Sequence, residues 1–191
     1  MPLIYALVLI IRSATGDFTA LGADPAEELM SYLGQWALIG IIVTLAISPL
    51  NRRVPRLRLI RYRRLFGLWA FACVCLHMVL YTVVLSGLNM EVLLSDILER
   101  PFIILGVLGF LMLVPMAITS TAGWRRRLGR NWSRLHRLIY LVTGVALVHF
   151  FLQVRSDYGE FVLISTVAIL LLLLRLPFQK LKSLFRQARQ H

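Results

Sequence analysis

Charge alternates along this chain in step with its apolar runs, and few folds accommodate that pattern. Residues 51–64 carry seven arginines and no acid, residues 122–137 carry six, and residues 175–191 carry five Lys/Arg, again with no acid. These segments hold 18 of the 21 basic residues. All nine acids fall in three other polar segments: Asp17 to Glu28, Glu91 to Glu99, and Asp157 with Glu160. Such alternation is what the positive-inside rule produces in a chain that crosses a bilayer repeatedly. The 59% hydrophobic content and mean hydropathy of +0.76 exceed those of soluble domains, which lie nearer half apolar. In a soluble protein a net charge of +12 would raise nucleic-acid binding. Here no aromatic-interleaved basic surface accompanies it, so the arginines read as topology signals and contacts to anionic membrane lipid, with no nucleic-acid partner.

A spanning helix needs about 20 mostly apolar residues. Five runs qualify: Tyr32–Leu50, Leu65–Leu88, Phe102–Thr121, Leu135–Val154 and Phe161–Leu176. A sixth, Met1–Ile11, is too short to cross about 30 Å unaided, yet the alternation requires it to cross; either the first helix is thin and local or, the favoured reading, an upstream start has been missed. It lacks the basic leader and cleavage site of a signal peptide. The prediction is an all-α, polytopic membrane bundle of about six transmembrane helices, with the basic segments and both termini cytoplasmic. Pro49 and Pro55 bracket the exit from one span, Pro101 opens the next but one, Pro177 closes the last, and Pro115 should kink the helix that holds it. No internal repeat is read. Cys73 and Cys75 point about 200° apart on a helix and cannot bridge.

Three of the four histidines lie in these apolar runs, where ionisable residues are costly and mark function. Neutral imidazole is a common ligand of iron in redox membrane proteins. His77 follows Arg64 by 13 residues and His149 follows Leu135 by 14, so both rise about 20 Å from the basic level. Two imidazoles at one height can supply both axial positions of a b-type haem. His136 lies about 20 Å lower, at the cytoplasmic edge. A partner for it would fall at Arg63 or Arg64, and arginine stays protonated and does not normally ligate iron. Three readings of that level stay open: a haem with an unidentified second ligand, a haem with an open position, or no haem, with the arginines binding a flavin phosphate or a quinone head. Thirteen residues turn an ideal helix by about 220°, so His136 and His149 should not share a strict face. Arg63, Arg64, Arg134 and Arg137 are candidate clamps for anionic cofactor groups. Gly67, Gly106, Gly109 and Gly144 lie on helices that would enclose cofactors, where glycine admits a flat ring close to the backbone. His191 is terminal, and the four tryptophans fit interfacial or packing roles.

Several segments, in order, carry a family resemblance. They are Leu21-Gly-Ala-Asp-Pro25, Arg63-Arg-Leu-Phe-Gly-Leu-Trp69 leading to His77, Arg100-Pro-Phe102, Thr119-Ser-Thr121, Leu128-Gly-Arg-Asn-Trp132 and Leu135-His136-Arg137. Over about residues 15–185 the chain resembles the MsrQ (YedZ) family, haem-binding membrane subunits of the bacterial periplasmic methionine sulfoxide reductase system. The wider relatives are the ferric reductase and oxidase transmembrane domains. The resemblance implies a ferric-reductase-like six-helix protein of the bacterial inner membrane, with residues 1–191 forming one haem-binding transmembrane domain. It implies one or two b-type haems, with FMN as a further cofactor. Electrons would come from the quinone pool or a cytoplasmic flavin reductase. They would pass to a periplasmic molybdopterin methionine sulfoxide reductase of the MsrP type. His77, His136 and His149 match the family's histidines as metal ligands, with Arg63, Arg64 and Arg137 beside the cofactors. The fourth histidine of the oxidase relatives is absent, and the amino terminus is short.

The chain would then be a non-catalytic electron-transfer subunit with no catalytic residue of its own. It carries no G-x-G-x-x-G nicotinamide fingerprint, so it should depend on partners at both faces. Three rivals are a stand-alone ferric or quinone reductase, a proton-coupled transporter or channel using the histidines as relays, and a structural membrane scaffold, which leaves the matched histidine depths unexplained. The second is disfavoured by acids confined to loops, since proton paths usually hold intramembrane carboxylates.

Overall fold

A computed structural model describes residues 24–154 and 158–175, together with Val8 and Ile11. The expected crossing at Met1–Ile11 otherwise lies outside these residues, as do Pro177 and His191. The described residues are helical, without a strand.

Helix α1 (Pro25–Arg53) starts where the Asp24 carboxylate accepts the backbone N–H groups of Ala26 and Glu27, with Pro25 in the first turn. Its 29 residues extend about 43 Å, beyond an apolar core of about 30 Å, which leaves Glu27–Glu28 and Arg52–Arg53 for the two headgroup levels. Two 3-10 turns (Pro55–Leu57, Leu59–Tyr62) reverse the chain into α2 (Arg63–Val79). A π-helical segment, Leu80–Leu85, continues α2, with the Thr82 and Ser86 hydroxyls donating back to the carbonyls of Met78 and Thr82. The short α3 (Met90–Glu99) crosses to α4 (Pro101–Ile118). Two brief helices, α5 (Ala122–Leu128) and α6 (Arg130–Leu135), precede α7 (Leu138–Gln153), and α8 (Gly159–Leu173) completes the bundle.

Among the described residues, four stretches are long and apolar enough to cross a membrane: α1, α2 with its continuation, α4, and α6–α7; α8 is apolar but shorter. Leucines such as Leu111, Leu141 and Leu163 stand more than half exposed on them. An exposed apolar belt of this kind suits lipid, not water. The described acids sit at one end of the bundle, but Glu27, Glu28, Glu91 and Glu160 occupy first helical turns, where the helix dipole favours them, and not loops as expected.

α1 pairs antiparallel with α2, and α4 with α7. Gly40 permits the first pairing: a Cβ there would stand 2.8 Å from the Trp69 ring. Between the pairs lies a core that includes Leu45, Ala70, Leu113 and Val142.

Pro49 lies inside α1, which runs on to Arg53, so the exit falls between Pro49 and Pro55 as expected. Proline has no N–H, so the carbonyl of Leu45, four residues earlier, loses its helical donor. Arg175, just beyond α8, supplies the replacement: one guanidinium nitrogen donates to the Leu45 carbonyl. Another donates to the Tyr140 hydroxyl at 2.9 Å, and the cation lies 5.5 Å from that ring. Arg175 thereby ties α1, α7 and α8 together. R175A leaves a carbonyl unsatisfied away from water, a cost of about 1–3 kcal/mol. The expected result is a lower thermal midpoint in detergent for R175A, with R175K intermediate; an unchanged midpoint in R175A would refute the role.

An internal repeat, not read from the sequence, emerges from the helix pairs. Met30, Leu33, Gly34, Ile41 and His77 are followed 72 positions later by Phe102, Leu105, Gly106, Leu113 and His149. The hairpin α1–α2 thus corresponds to α4–α7, in the same orientation. The resemblance between the halves rests on a few positions, too sparse to stand out until the hairpins are seen to pack alike.

Candidate functional site

Two cavities lie between the hairpins, one at the acidic end and one at the basic end. The acidic-end cavity measures about 420 Å³ and has His77 and His149 in its wall. His77 comes from α2 and His149 from α7, at corresponding positions of the repeat. The Nδ1–H of His77 donates to the Met30 carbonyl at 2.8 Å, and that of His149 to the Phe102 carbonyl at 2.6 Å. A carbonyl can only accept, so Nδ1 carries the proton in each neutral ring and Nε2 keeps its lone pair. Each ring lies on a glycine one turn beyond that carbonyl. A Cβ at Gly34 would stand 3.1 Å from the His77 ring, and one at Gly106 would stand 3.1 Å from the His149 ring.

The two ring centroids are 6.3 Å apart, with planes at 81°. Two imidazoles bonded to one metal through Nε2, at about 2.0 Å each with about 1.1 Å from nitrogen to ring centre, would have centroids about 6.2 Å apart, close to the separation seen. The described residues contain no group of three or more His, Cys, Asp or Glu able to hold a bare ion. Two imidazole donors at this separation instead suit a metal whose remaining ligands come from a macrocycle. The cavity volume lies within the range of small-molecule and cofactor sites, about 300–1,000 Å³. The donor set therefore fits haem. The matched heights expected for His77 and His149 correspond to a real juxtaposition.

The basic-end cavity, about 460 Å³, is bordered by Arg63, Arg64, Arg125, Arg137 and His136. His136 is not on α7. It closes α6, and the chain turns at His136–Arg137 before α7 begins at Leu138. A two-residue turn interrupts the helix between His136 and His149, and the two histidines border different cavities, in keeping with the expectation that they share no strict face. The His136 ring stacks on Trp132 at 4.0 Å, and its Nε2 lies 3.1 Å from the Thr119 hydroxyl. That hydroxyl gives its one proton to the Pro115 carbonyl at 2.7 Å, so it accepts from His136 Nε2–H. Trp132 completes the knot by donating its indole N–H to the Thr119 carbonyl at 2.9 Å. The nitrogen left free in the acidic-end histidines is thus engaged in His136.

Arg64 precedes His77 by 13 residues, as His136 precedes His149. By the repeat, Arg64 occupies the position equivalent to His136, which narrows the expected pair Arg63 or Arg64 to one. Arg134 does not border the cavity and donates instead to Asn131. Of the glycines singled out, Gly106 and Gly109 border the acidic-end cavity and Gly67 the basic-end one, while Gly144 borders neither. Sequence reasoning missed Gly34, Met30, Thr119 and Arg125. Gly34 left a signal in its recurrence as Gly106 at the spacing of the two histidines, and Thr119 in the segment Thr119-Ser-Thr121. Ile41 and Leu113, a repeat pair, border both cavities. Phe71 of one cavity stacks on Phe110 of the other at 6.1 Å and 5°. The wall between the cavities is therefore one layer of side chains.

Residues 33–147 match the family described as ferric reductase like transmembrane component. The chain is 45% identical over 156 residues to the protein-methionine-sulfoxide reductase heme-binding subunit MsrQ of Caulobacter vibrioides, covering 81% of this chain and 74% of the relative. It is 44% identical over 158 residues to the MsrQ subunit of Xanthomonas euvesicatoria, covering 82% and 72%. Against that of Xanthomonas oryzae it is 44% identical over 154 residues, covering 80% and 70%.

Proposed function

Because the chain belongs to the MsrQ family of haem-binding subunits, within the ferric-reductase-like transmembrane proteins, we propose that it carries electrons across the bacterial inner membrane to a periplasmic methionine sulfoxide reductase. The basic end and both termini are then cytoplasmic, and the acidic end faces the periplasm. The observation that carries the reading is the pair of imidazoles 6.3 Å apart, each with Nδ1 tied to a carbonyl. His77 and His149 hold one b-type haem between α2 and α7. Bound haem supplies a one-electron couple. The Nδ1 hydrogen bonds keep both rings neutral and turned toward the metal, and raise their basicity. Apolar neighbours such as Leu38, Val74 and Leu113 exclude water and so tune the potential.

At the cytoplasmic end Arg63, Arg64 and Arg137 hold the phosphate of FMN through charge-assisted hydrogen bonds, with His136 beside its ring. The engaged Nε2 of His136 favours this over a second haem. The similar volumes of the two cavities favour the second reading, a haem held by His136 once Thr119 releases it. Electrons enter here from quinol or a flavin reductase and cross the thin wall marked by Phe71 and Phe110. The acceptor is a molybdopterin enzyme of the MsrP type, which repairs oxidised methionine.

A pyridine haemochrome count on purified protein tests this. One haem and one FMN per chain are expected, with H136A retaining the haem. A count of two, one lost in H136A, would establish the second reading. Absence of any haem after expression with ample haem supply would reject both. Reduction of a co-purified or added MsrP-type enzyme separates the subunit from a stand-alone ferric or quinone reductase.

A further inference from the structure

We infer that Gly34 and Gly106, with the carbonyls of Met30 and Phe102, are positioning residues that hold the two ligand imidazoles at right angles to one another. The inference rests on the proposed haem at His77 and His149. Each half of the repeat builds the same bracket. A carbonyl accepts the Nδ1–H, and one turn later a glycine receives the ring. The helix paired with it then delivers the histidine, 43 residues beyond that glycine in both halves. Two contacts fix a ring's rotation about its own axis where one would leave it free. The hydrogen bond fixes where Nδ1 points, and the glycine Cα fixes how closely the ring face or edge approaches. An added Cβ at 3.1 Å is tighter than an ordinary contact, so the ring has to turn or withdraw by a few tenths of an ångström. The 81° between the ring planes is therefore the product of two separate brackets on two hairpins, and not of contact between the rings.

This angle has an electronic consequence. Imidazoles in parallel planes donate into the same iron d orbital and split the pair of d orbitals they address. Perpendicular imidazoles donate into both and keep them close in energy. The oxidised low-spin state then gives a strongly anisotropic electron paramagnetic resonance spectrum with a single prominent low-field line, where parallel rings give three resolved lines. The brackets also tune the potential through the same orbitals.

The test is the spectrum of the oxidised, purified full chain, with haem content and midpoint potential measured alongside. The parent protein should show the single low-field line, an observation that needs no variant. G34A and G106A should each keep most of the haem while moving that line toward the three-line pattern and shifting the potential. G144A, on a helix facing the site but bordering neither cavity, should leave both unchanged. A parent that binds haem but gives the three-line spectrum would overturn the inference and leave the ligand assignment standing. Glycine variants that keep haem with an unmoved line would do the same. If G34A and G106A lose haem and G144A does not, the brackets hold the ligands, and G34S and G106S should lose it too. A parent that binds no haem overturns the ligand assignment itself, and this inference with it.

Discussion

H77A and H149A are each expected to reduce haem at the acidic-end site to about a tenth of the parent content or less, since changes even to groups behind a ligand cost about 10–100-fold. The effect should be equal for the two, because the site has two imidazole donors and among the described residues no third His, Cys, Asp or Glu grouped with them. Each variant removes one axial nitrogen and leaves its bracket carbonyl without the ring that satisfied it. Imidazole added to the buffer is expected to restore part of the absorbance, since the truncated side chain leaves a space of its own shape against Gly34 or Gly106. Absorbance of the reduced protein and a haemochrome count are the measurements. The assignment fails if both variants keep full haem content, or if H136A loses this haem in their place.

R64H, combined with T119V, should add a haem to the basic-end cavity and so raise the count by one per chain. The repeat sets Arg64 opposite His136 as it sets His77 opposite His149, 13 residues away in each hairpin. Arginine there cannot ligate iron, because it stays protonated. Histidine at the same position would supply the missing donor, and valine at 119 would release Nε2 of His136 from the hydroxyl that now engages it. The substitution also removes one cation from the cluster of Arg63, Arg64, Arg125 and Arg137, so FMN binding should weaken by about tenfold or more, the worth of one hydrogen bond to a charged group. Opposite movements of haem and flavin content would be hard to produce by misfolding. A haem count equal to the parent's in well-folded R64H/T119V would show that the structural repeat does not extend to ligation.

What the amino-acid sequence determined alone is the quantity that accumulates along the backbone. Polar segments of alternating sign set the direction of each crossing, and a rise of about 1.5 Å per residue sets height, so His77 and His149 were placed at one level before any contact was known. Rotation about the helix axis and breaks within a helix do not follow from counting. His136 was read on a helix with His149, yet the chain turns there, and its ring belongs to Thr119 and Trp132. Pro49 and Pro55 bracket the helix exit as the sequence implies, but the group that satisfies the Leu45 carbonyl left open by Pro49 is Arg175, 130 residues away. The glycine brackets likewise depend on which helices pair. Tertiary structure decided these points because each satisfies a backbone or ring polar group with a partner distant in sequence, and such pairing exists only once the hairpins have packed.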